Sequence, residues 1–411
     1  MKILQITPQV PYPPIDGGKR GIFNITKPLA ERGHEITMIA LSKRTDGDFS
    51  ELKRYCSLEV LYHDSDHSTL KMVRNLFSSV PYTVSKYHDK HIVQEIFNVL
   101  TREDFDIVHI DTLHCAYYGL LIKQKHDVPV ILRLHDYATA MMERFASYER
   151  NIPRRVFSKL QVLKLTSYEG PVCSRFDRCL VVSEDDEAKL KKAAPDVKSV
   201  VIPPGVDTSY FTPGDEVPEP NSILWFGALS WHPNFDGLMW FLNEIFPRVL
   251  LRCPAARFVI AGSGSGGKEN FQRYPQTTFI GFVEDIRKAI SKYEIAVVPL
   301  RIGSGVRLKL IELFSMGKPA VSTTVGAEGT GAIHGEHLLL ADSPDGFADS
   351  IIQLFEEAAL RRKLSRNARD LVLRQFDCNA IAETIETEYL SLAEGRRANV
   401  KKPVNGRTAM K

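Results

Sequence analysis

Short apolar runs and amphipathic stretches alternate along nearly the whole chain. Residues 3–7, 35–40, 58–62, 107–110, 128–134, 178–182 and 199–202 are almost unbroken apolar runs. That is the pattern of strands buried on both faces. Helical periodicity fills several of the gaps. The stretch 22–32 closes at Gly33, where a helix end favours glycine. Such alternation predicts a parallel sheet with helices on both sides.

The pattern breaks at 212–221, TPGDEVPEPN, which is rich in proline and acidic residues and has no apolar period. A linker is expected there. Strand-like runs restart at 222–226, 257–261, 278–281, 295–299, 320–323 and 337–340. Helices are expected over 236–251, 306–316, 348–355, 357–375 and 379–392. The tail from Gly395, GRRANVKKPVNGRTAMK, is basic and lacks a core face, so it is expected to be disordered. The chain reads as α/β, with two tandem Rossmann-like domains over 1–208 and 209–375, a helix over 376–394 and a tail over 395–411.

Composition narrows the classes. The chain has 411 residues, 44% hydrophobic and 25% charged, with a formal net charge of only +3. That balance suits a soluble globular enzyme and gives no nucleic-acid footprint. The six cysteines are scattered without paired spacing, which points to reduced thiols rather than a zinc ribbon. The opening MKILQITPQV is too short an apolar run for a signal peptide and is broken by Pro8. No apolar run reaches the roughly 18–20 residues of a membrane helix. A soluble cytoplasmic protein is expected. The basic stretch 144–164, RFASYERNIPRRVFSKLQVLK, allows peripheral attachment to an anionic membrane or a plain solvated helix face.

In an open parallel sheet, ligands sit beyond the carboxyl ends of the strands. The richest such end is PLRIGSGVRLKLIELFSMGKP, 299–319. A turn at Gly303, Ser304 and Gly305 hands a strand over to a helix that opens with Arg307 and Lys309. Cations oppose the dipole at a helix N-terminus. Free N–H groups and two cations around one turn therefore imply a bound anion. Glu312, on the same helix, can accept from sugar hydroxyls. Together these point to a nucleotide-type ligand.

Other strand ends add candidates. PPIDGGKR places Asp16, Gly17 and Gly18 after the first strand, without dinucleotide-fingerprint spacing. His135 and Asp136 follow the run at 128–134, and a histidine there can donate to a hydroxyl or stabilise charge. Asp111 and His114 end the neighbouring strand and, with Asp16 and Asp136, are the candidates for lining an acceptor pocket, a purely structural role being the alternative for Asp111 and His114. GALSWHPNFD presents Gly227, Ser230, His232 and Asn234, with Asn234 or Asp236 as a helix cap. Residues 262–268 match GxxxxGK from Gly262, but Glu269 follows where a hydroxyl would hold magnesium, so a glycine turn at a pocket rim is the better reading. HDSDH at 63–67 carries metal-ligand residue types but reads as a solvated turn. No tightly bound metal or cofactor is expected.

The chain as a whole resembles the family-4 glycosyltransferases of GT-B architecture. The resemblance rests on the PPIDGG loop, His135-Asp136, VVSEDDEAKL at 181–190, VIPPGVD at 201–207, the glycine turn after Ala261, and GSGVRLKLIELFSMGKP at 303–319. It implies two domains facing a cleft, with the last helix crossing back to the first. It also implies a sugar-nucleotide donor bound mainly by the second domain and a hydroxyl acceptor bound mainly by the first, with transfer retaining anomeric configuration. Sugar transferases of polysaccharide or glycolipid assembly are the subgroup it resembles. Glu312 matches the second glutamate of the family's Glu-x7-Glu pair and would hold the ribose. The first falls at Ser304, a departure at the position that commonly meets the donor sugar; the Gly305 N–H is a partial substitute. The Arg and Lys that many relatives carry after the first strand of the second domain are missing. Arg307 and Lys309, and less directly Arg301, are the candidates for neutralising the diphosphate, and His135 matches the histidine near the transferred sugar. The alternatives are a sugar-nucleotide epimerase or hydrolase on the same architecture, or a non-catalytic nucleotide-sugar binder.

Overall fold

The computed structural model describes residues 1–14, 16–149, 151–264, 271, 273–303 and 305–400. Two parallel sheets carry the chain. The first is built from β1 (Lys2–Thr7), β2 (Glu35–Ser42), β3 (Ser57–Tyr62), β4 (Ile107–Asp111), β5 (Val130–Arg133), β6 (Arg178–Val181) and β7 (Ser199–Val201), in the order β3-β2-β1-β4-β5-β6-β7. The second is built from β8 (Glu219–Phe226), β9 (Arg257–Ala261), β10 (Thr277–Gly281), β11 (Tyr293–Val298), β12 (Ala320–Ser322) and β13 (Leu339–Leu340), in the order β10-β9-β8-β11-β12-β13.

Every strand expected from an apolar run is present. Central strands such as β1 and β4 are buried almost end to end, because helices cover both faces and leave no wet side to impose alternation. Strand order reverses between β1 and β4 and again between β8 and β11. A crevice opens at each reversal, beyond the strands' carboxyl ends.

Boundaries differ where local chemistry intervenes. The expected linker overlaps β8, whose Glu219 pairs with Tyr293. The helix expected over 236–251 divides into an α-helix His232–Trp240, a π-helical turn Phe241–Ile245 and an α-helix Phe246–Arg252. Pro247 accounts for the division, since it lacks the N–H that a regular ladder needs.

The last helix, Cys378–Val400, starts near its expected place but runs through Gly395, where a structureless tail was expected; residues 401–411 lie outside the described set. It packs on the first domain. Ile381, Ala382, Ile385 and Tyr389 join Ile3, Ile22, Ile25 and Ile107 in one core. Glu386 accepts from Arg32 Nε at 2.8 Å and faces His34 at 3.0 Å, while Glu388 pairs with Arg178 at 2.8 Å.

One glycine fixes how the second domain closes on itself. A Cβ on Gly237, within the His232–Trp240 helix, would stand 2.3 Å from the carbonyl oxygen of Pro299. Mid-helix Gly→Ala changes ordinarily stabilise by about 0.5–1 kcal/mol. Here the overlap with fixed backbone reverses the sign. Gly237→Ala is expected to lower stability by about 1–3 kcal/mol, the usual range for overpacking, read as an earlier urea midpoint.

Candidate functional site

The second domain's half of the site forms where β8 and β11 diverge. Lys309 lies in the first turn of the helix Leu308–Ser315. Its Nζ donates to the Phe226 carbonyl at 2.9 Å and to Asn234 Oδ1 at 2.8 Å, above the Trp225 ring. Asn234 is thus a partner of Lys309 rather than a helix cap. Gly227 makes room for the ammonium, since an added Cβ would come 2.9 Å from Nζ. Gly262 supports that turn, because its own Cβ would strike the Gly227 oxygen at 2.2 Å. Burial, followed by repulsion from Arg307, pushes Lys309 down to about 7. The amine, neutral in part near pH 7, is therefore poised to gain a proton when an anion arrives.

Arg307 occupies the position just before that helix. Burial lowers it to about 10, against the pull of Glu328 and Asp136. Its guanidinium lies against Gly303, where a side chain would overlap it. Gly303 and Gly305 both have positive φ, 146° and 76°, so the turn needs glycine there. Ser304 lies outside the described residues. Ser230 is exposed on the loop leading to the His232 helix. Arg301, the third cation considered for the diphosphate, is bound bidentately by Asp236 at 3.0 and 2.7 Å over the Trp240 ring, which takes it out of that role.

The first domain's half is built on a buried carboxylate. Asp111, at the end of β4, is fully enclosed; it accepts from Gln5 Nε2 at 2.8 Å and from Arg133 Nη1 at 3.2 Å. His135 Nε2 lies 3.2 Å and His109 Nε2 3.5 Å from the same oxygen. Burial works against its charge, yet His109, His135 and Arg133 together hold its carboxyl well below the usual range. An enclosed, fully partnered group cannot line an acceptor pocket, so that expectation is corrected: Asp111 orients His135. Burial and the Arg133 charge lower His135, against the pull of Asp111. Arg133 Nη1, which can only donate, lies 3.0 Å from His135 Nε2.

Asp16 is an N-cap, accepting from Lys19 N at 2.9 Å at the head of the helix Gly17–Glu31. Gly17 and Gly18 form the first turn of this helix, and Gly17 has open space where a Cβ would stand. His114 faces Thr112 Oγ1 at 3.1 Å and is pushed down to about 4 by burial, which leaves it neutral.

The two halves meet directly. Arg20, one turn into the Gly17 helix, donates to both oxygens of Glu312 at 2.6 and 2.7 Å. Arg144 donates to Glu328, at 2.7 Å for its Nη2, and to the Gly303 carbonyl. An added Cβ on Gly305 would lie 2.9 Å from the His135 carbonyl and 3.3 Å from Asp136 Cβ. Asp136 is pushed up to about 6 by burial and by Asp186. It faces the glycine turn and Arg307 rather than a separate acceptor pocket. The glycine turn therefore points at the other lobe as expected, but here it is filled by Arg307, Arg144 and Asp136 rather than standing open. Beside it, a groove of about 400 Å³ runs between Tyr148 and Glu149 of the first domain and His232, Phe235 and Arg301 of the second.

Arg20, Arg144, Glu328 and Arg133 were not singled out in the sequence. Arg20 alone had a local signal, as the second basic residue after the glycine pair. Arg144 was counted in a surface-basic stretch, but it turns into the cleft. In HDSDH, Lys43 pairs with Asp64 at 2.8 Å and with Asp66, as suits a solvated turn.

The model of "Glycosyltransferase Family 4" matches residues 15–210, and that of "Glycosyl transferases group 1" matches 220–357. A Klebsiella pneumoniae protein described as an uncharacterized 44.6 kDa protein in the cps region is 23% identical, over 94% of this chain and 99% of its own. The Escherichia coli UDP-Gal:alpha-D-GlcNAc-diphosphoundecaprenol alpha-1,3-galactosyltransferase is 21% identical, over 75% of this chain and 81% of its own. Among solved structures, Anabaena HepE in complex with UDP superposes with a TM-score of 0.68 at 18% identity, covering 95% of this chain and all of that one. With its sheets, crevices and both halves matched in order, this chain belongs to the family-4 glycosyltransferases and is a glycosyltransferase of GT-B fold.

Proposed function

We propose that the protein transfers a sugar from a nucleoside-diphosphate donor to a hydroxyl acceptor with retention of anomeric configuration. We place this step in polysaccharide or glycolipid assembly at the cytoplasmic face of a membrane. The observation that carries the reading is that Gly305 meets the His135–Asp136 backbone across the domain gap while Arg307 lies against Gly303 and within reach of Asp136, with Lys309 beside Arg307. In this reading Glu312 takes the ribose hydroxyls. Lys309, Arg307 and the turn take the diphosphate, and Arg20 moves off Glu312 as the donor enters.

The bond between the anomeric carbon and the phosphate oxygen breaks while the acceptor oxygen bonds to that carbon from the same face. The acceptor proton passes to the departing phosphate. Cations fixed around that phosphate stabilise the charge that develops on it, and His135 orients a hydroxyl of the transferred sugar. Closure of the lobes excludes water and limits hydrolysis. Cationic side chains do the neutralising, so no tightly bound metal is required.

Two facts about relatives support the choice of acceptor. One similar protein comes from a cps region. Another acts on a sugar carried by diphosphoundecaprenol. HepE, of like fold, was solved with UDP, which supports a nucleotide-sugar donor. Donor consumption that requires an acceptor, with a product of unchanged anomeric configuration by NMR, is expected. Consumption without acceptor would instead favour an epimerase or hydrolase.

Arg307→Ala and Lys309→Ala are each expected to lower kcat/KM by about 10²-fold or more, the scale for losing one preorganised charge-stabilising group. Wild-type activity in both would remove the diphosphate assignment.

Lys309 also predicts a linkage. Its ordinary value of 10.5 is depressed to about 7 in the empty site. A bound diphosphate favours the charged form and raises it again. At pH 7, UDP binding is therefore expected to take up on the order of half a proton more in the wild type than in Lys309→Met. The excess fades at lower pH, where Lys309 is already charged. Calorimetry in buffers of different ionisation enthalpy measures it.

A further inference from the structure

We propose that the acceptor bears a phosphate group, and that Lys86, Lys71 and His114 seat it over the carboxyl ends of the first sheet. This rests on the transferase reading above and names the chemical class of its acceptor.

The seat is assembled around one aromatic ring. Tyr87 is buried between the end of β3 and the end of β4. His63 stacks on it at 5.4 Å between centroids, and His114 meets it at 5.1 Å. The ring therefore spans the ends of β2 and β1, which lie between those two strands. His63 Nε2 donates to the Lys86 carbonyl at 3.0 Å, and the Tyr118 hydroxyl donates to the Tyr87 carbonyl. The platform is thus fixed from both sides.

Lys86 is the charge on this platform. It is half-buried, with its ammonium 5.3 Å from the Tyr87 centroid. The carboxylates around it are engaged elsewhere. Asp64 and Asp66 hold Lys43. Asp89 faces His63 at 3.7 Å and accepts from the His91 amide at 2.8 Å. Burial lowers the Lys86 ammonium; Asp66 pulls it up from a distance and Lys71 pushes it down. A cation drawn out of water calls for a negative partner. Among the described residues no carboxylate pairs with Lys86, so the partner is a ligand.

A second observation marks the same place. Thr112, between Asp111 and His114, has φ 68° and ψ 153°. That region belongs to glycine and strains a β-branched residue, and strain of this kind gathers at binding sites. Thr112 Oγ1 lies 3.1 Å from His114 Nδ1, so the strained turn presents the histidine to Tyr87. Both Lys86 and His135 bear on His114 electrostatically. A single residue therefore separates the seat from the histidine assigned to the transferred sugar.

Charge selects the ligand. Lys71 and Lys86 bring two ammonium groups. Burial lowers His67 and His114, so their neutral rings add hydrogen bonds rather than charge. A phosphate monoester carries about −1.5 to −2 charge near pH 7 and three strong acceptor oxygens, which suits that set better than the single charge of a carboxylate.

Isothermal titration of the full chain with inorganic phosphate tests this in two backgrounds: the wild type saturated with UDP, and Arg307→Ala/Lys309→Ala without nucleotide. Each removes the cleft cations from the measurement. Phosphate binding is expected in both. Adding Lys86→Gln is expected to weaken it about tenfold or more, the scale of one charge-assisted hydrogen bond. Lys71→Gln, at an exposed position, is expected to weaken it less and serves where Lys86→Gln does not fold. Glucose 6-phosphate and geranyl phosphate are expected to depend on Lys86 in the same way; tighter binding of the first marks a soluble sugar phosphate as acceptor, and of the second a lipid-linked one. Equal phosphate binding by the parent and both lysine variants, no binding in either background, or glucuronate bound as tightly as glucose 6-phosphate overturns the proposal. The second background needs no nucleotide, so a chain that seats phosphate through Lys86 yet transfers no sugar refutes the transferase reading alone.

Discussion

Glu312 is a carboxylate with almost no access to water, and its strongest partner belongs to the other domain. Arg20 reaches it with both oxygens bound. Burial pushes the Glu312 carboxyl up, and Arg20 and Lys309 pull it back. Removing one partner of such a pair leaves an uncompensated buried charge, a loss of about 3–5 kcal/mol. Together with Arg144 and Glu328, this pairing sets how closely the two rows of strand ends approach. The rest of the cleft depends on it: Gly305 can touch the His135 carbonyl only when the lobes are this near.

The first domain answers with a different device. Asp111 gathers His109, Arg133, Gln5 and His135 around one enclosed carboxylate. His109 in turn meets the Tyr389 hydroxyl on the returning C-terminal helix. His135 is thus held from behind by a network that ends on the last helix. That helix stabilises the first domain's core and also completes the support of the site. The paired members of such a buried polar network rigidify what they hold, while His109 Nε2 and Arg133 Nε find no hydrogen-bond partner within it.

Much of this was legible in the sequence because parallel strands buried on both faces, such as β1 and β4, leave unbroken apolar runs, while an edge strand such as β10 alternates between half-buried and exposed positions and keeps only a short apolar stretch. The glycine turn before Arg307 and Lys309 was legible for a similar reason: positive φ demands glycine, and cations at a helix start demand an anion. What could not be read was partnership across distance. Arg20 and Glu312 are 292 positions apart, and Arg144 and Glu328 are 184 apart. Nothing local in either segment distinguishes a cleft arginine from a solvated one. Asp111 was misread for the same cause, since a carboxylate at a strand end looks available until the histidines and arginine around it are known. The π-helical turn was readable in principle from Pro247, but a strong apolar period masked it.

The same constraint explains how a cleft so rich in cations stays folded. Arg20, Arg144, Arg307 and Lys309 crowd one gap, and without counter-charge their repulsion would part the lobes. Glu312, Glu328 and Asp136 supply that counter-charge in the absence of ligand. A diphosphate brings its own negative charge and so competes with these carboxylates for the same cations. Asp136 is pushed up to about 6 by burial and by Asp186, so it gives up its charge by taking up a proton only a little below neutral pH. Both closure and discharge then follow from one principle: buried positive charge is tolerated only beside a negative partner, and the identity of that partner decides whether the lobes are resting or holding substrate.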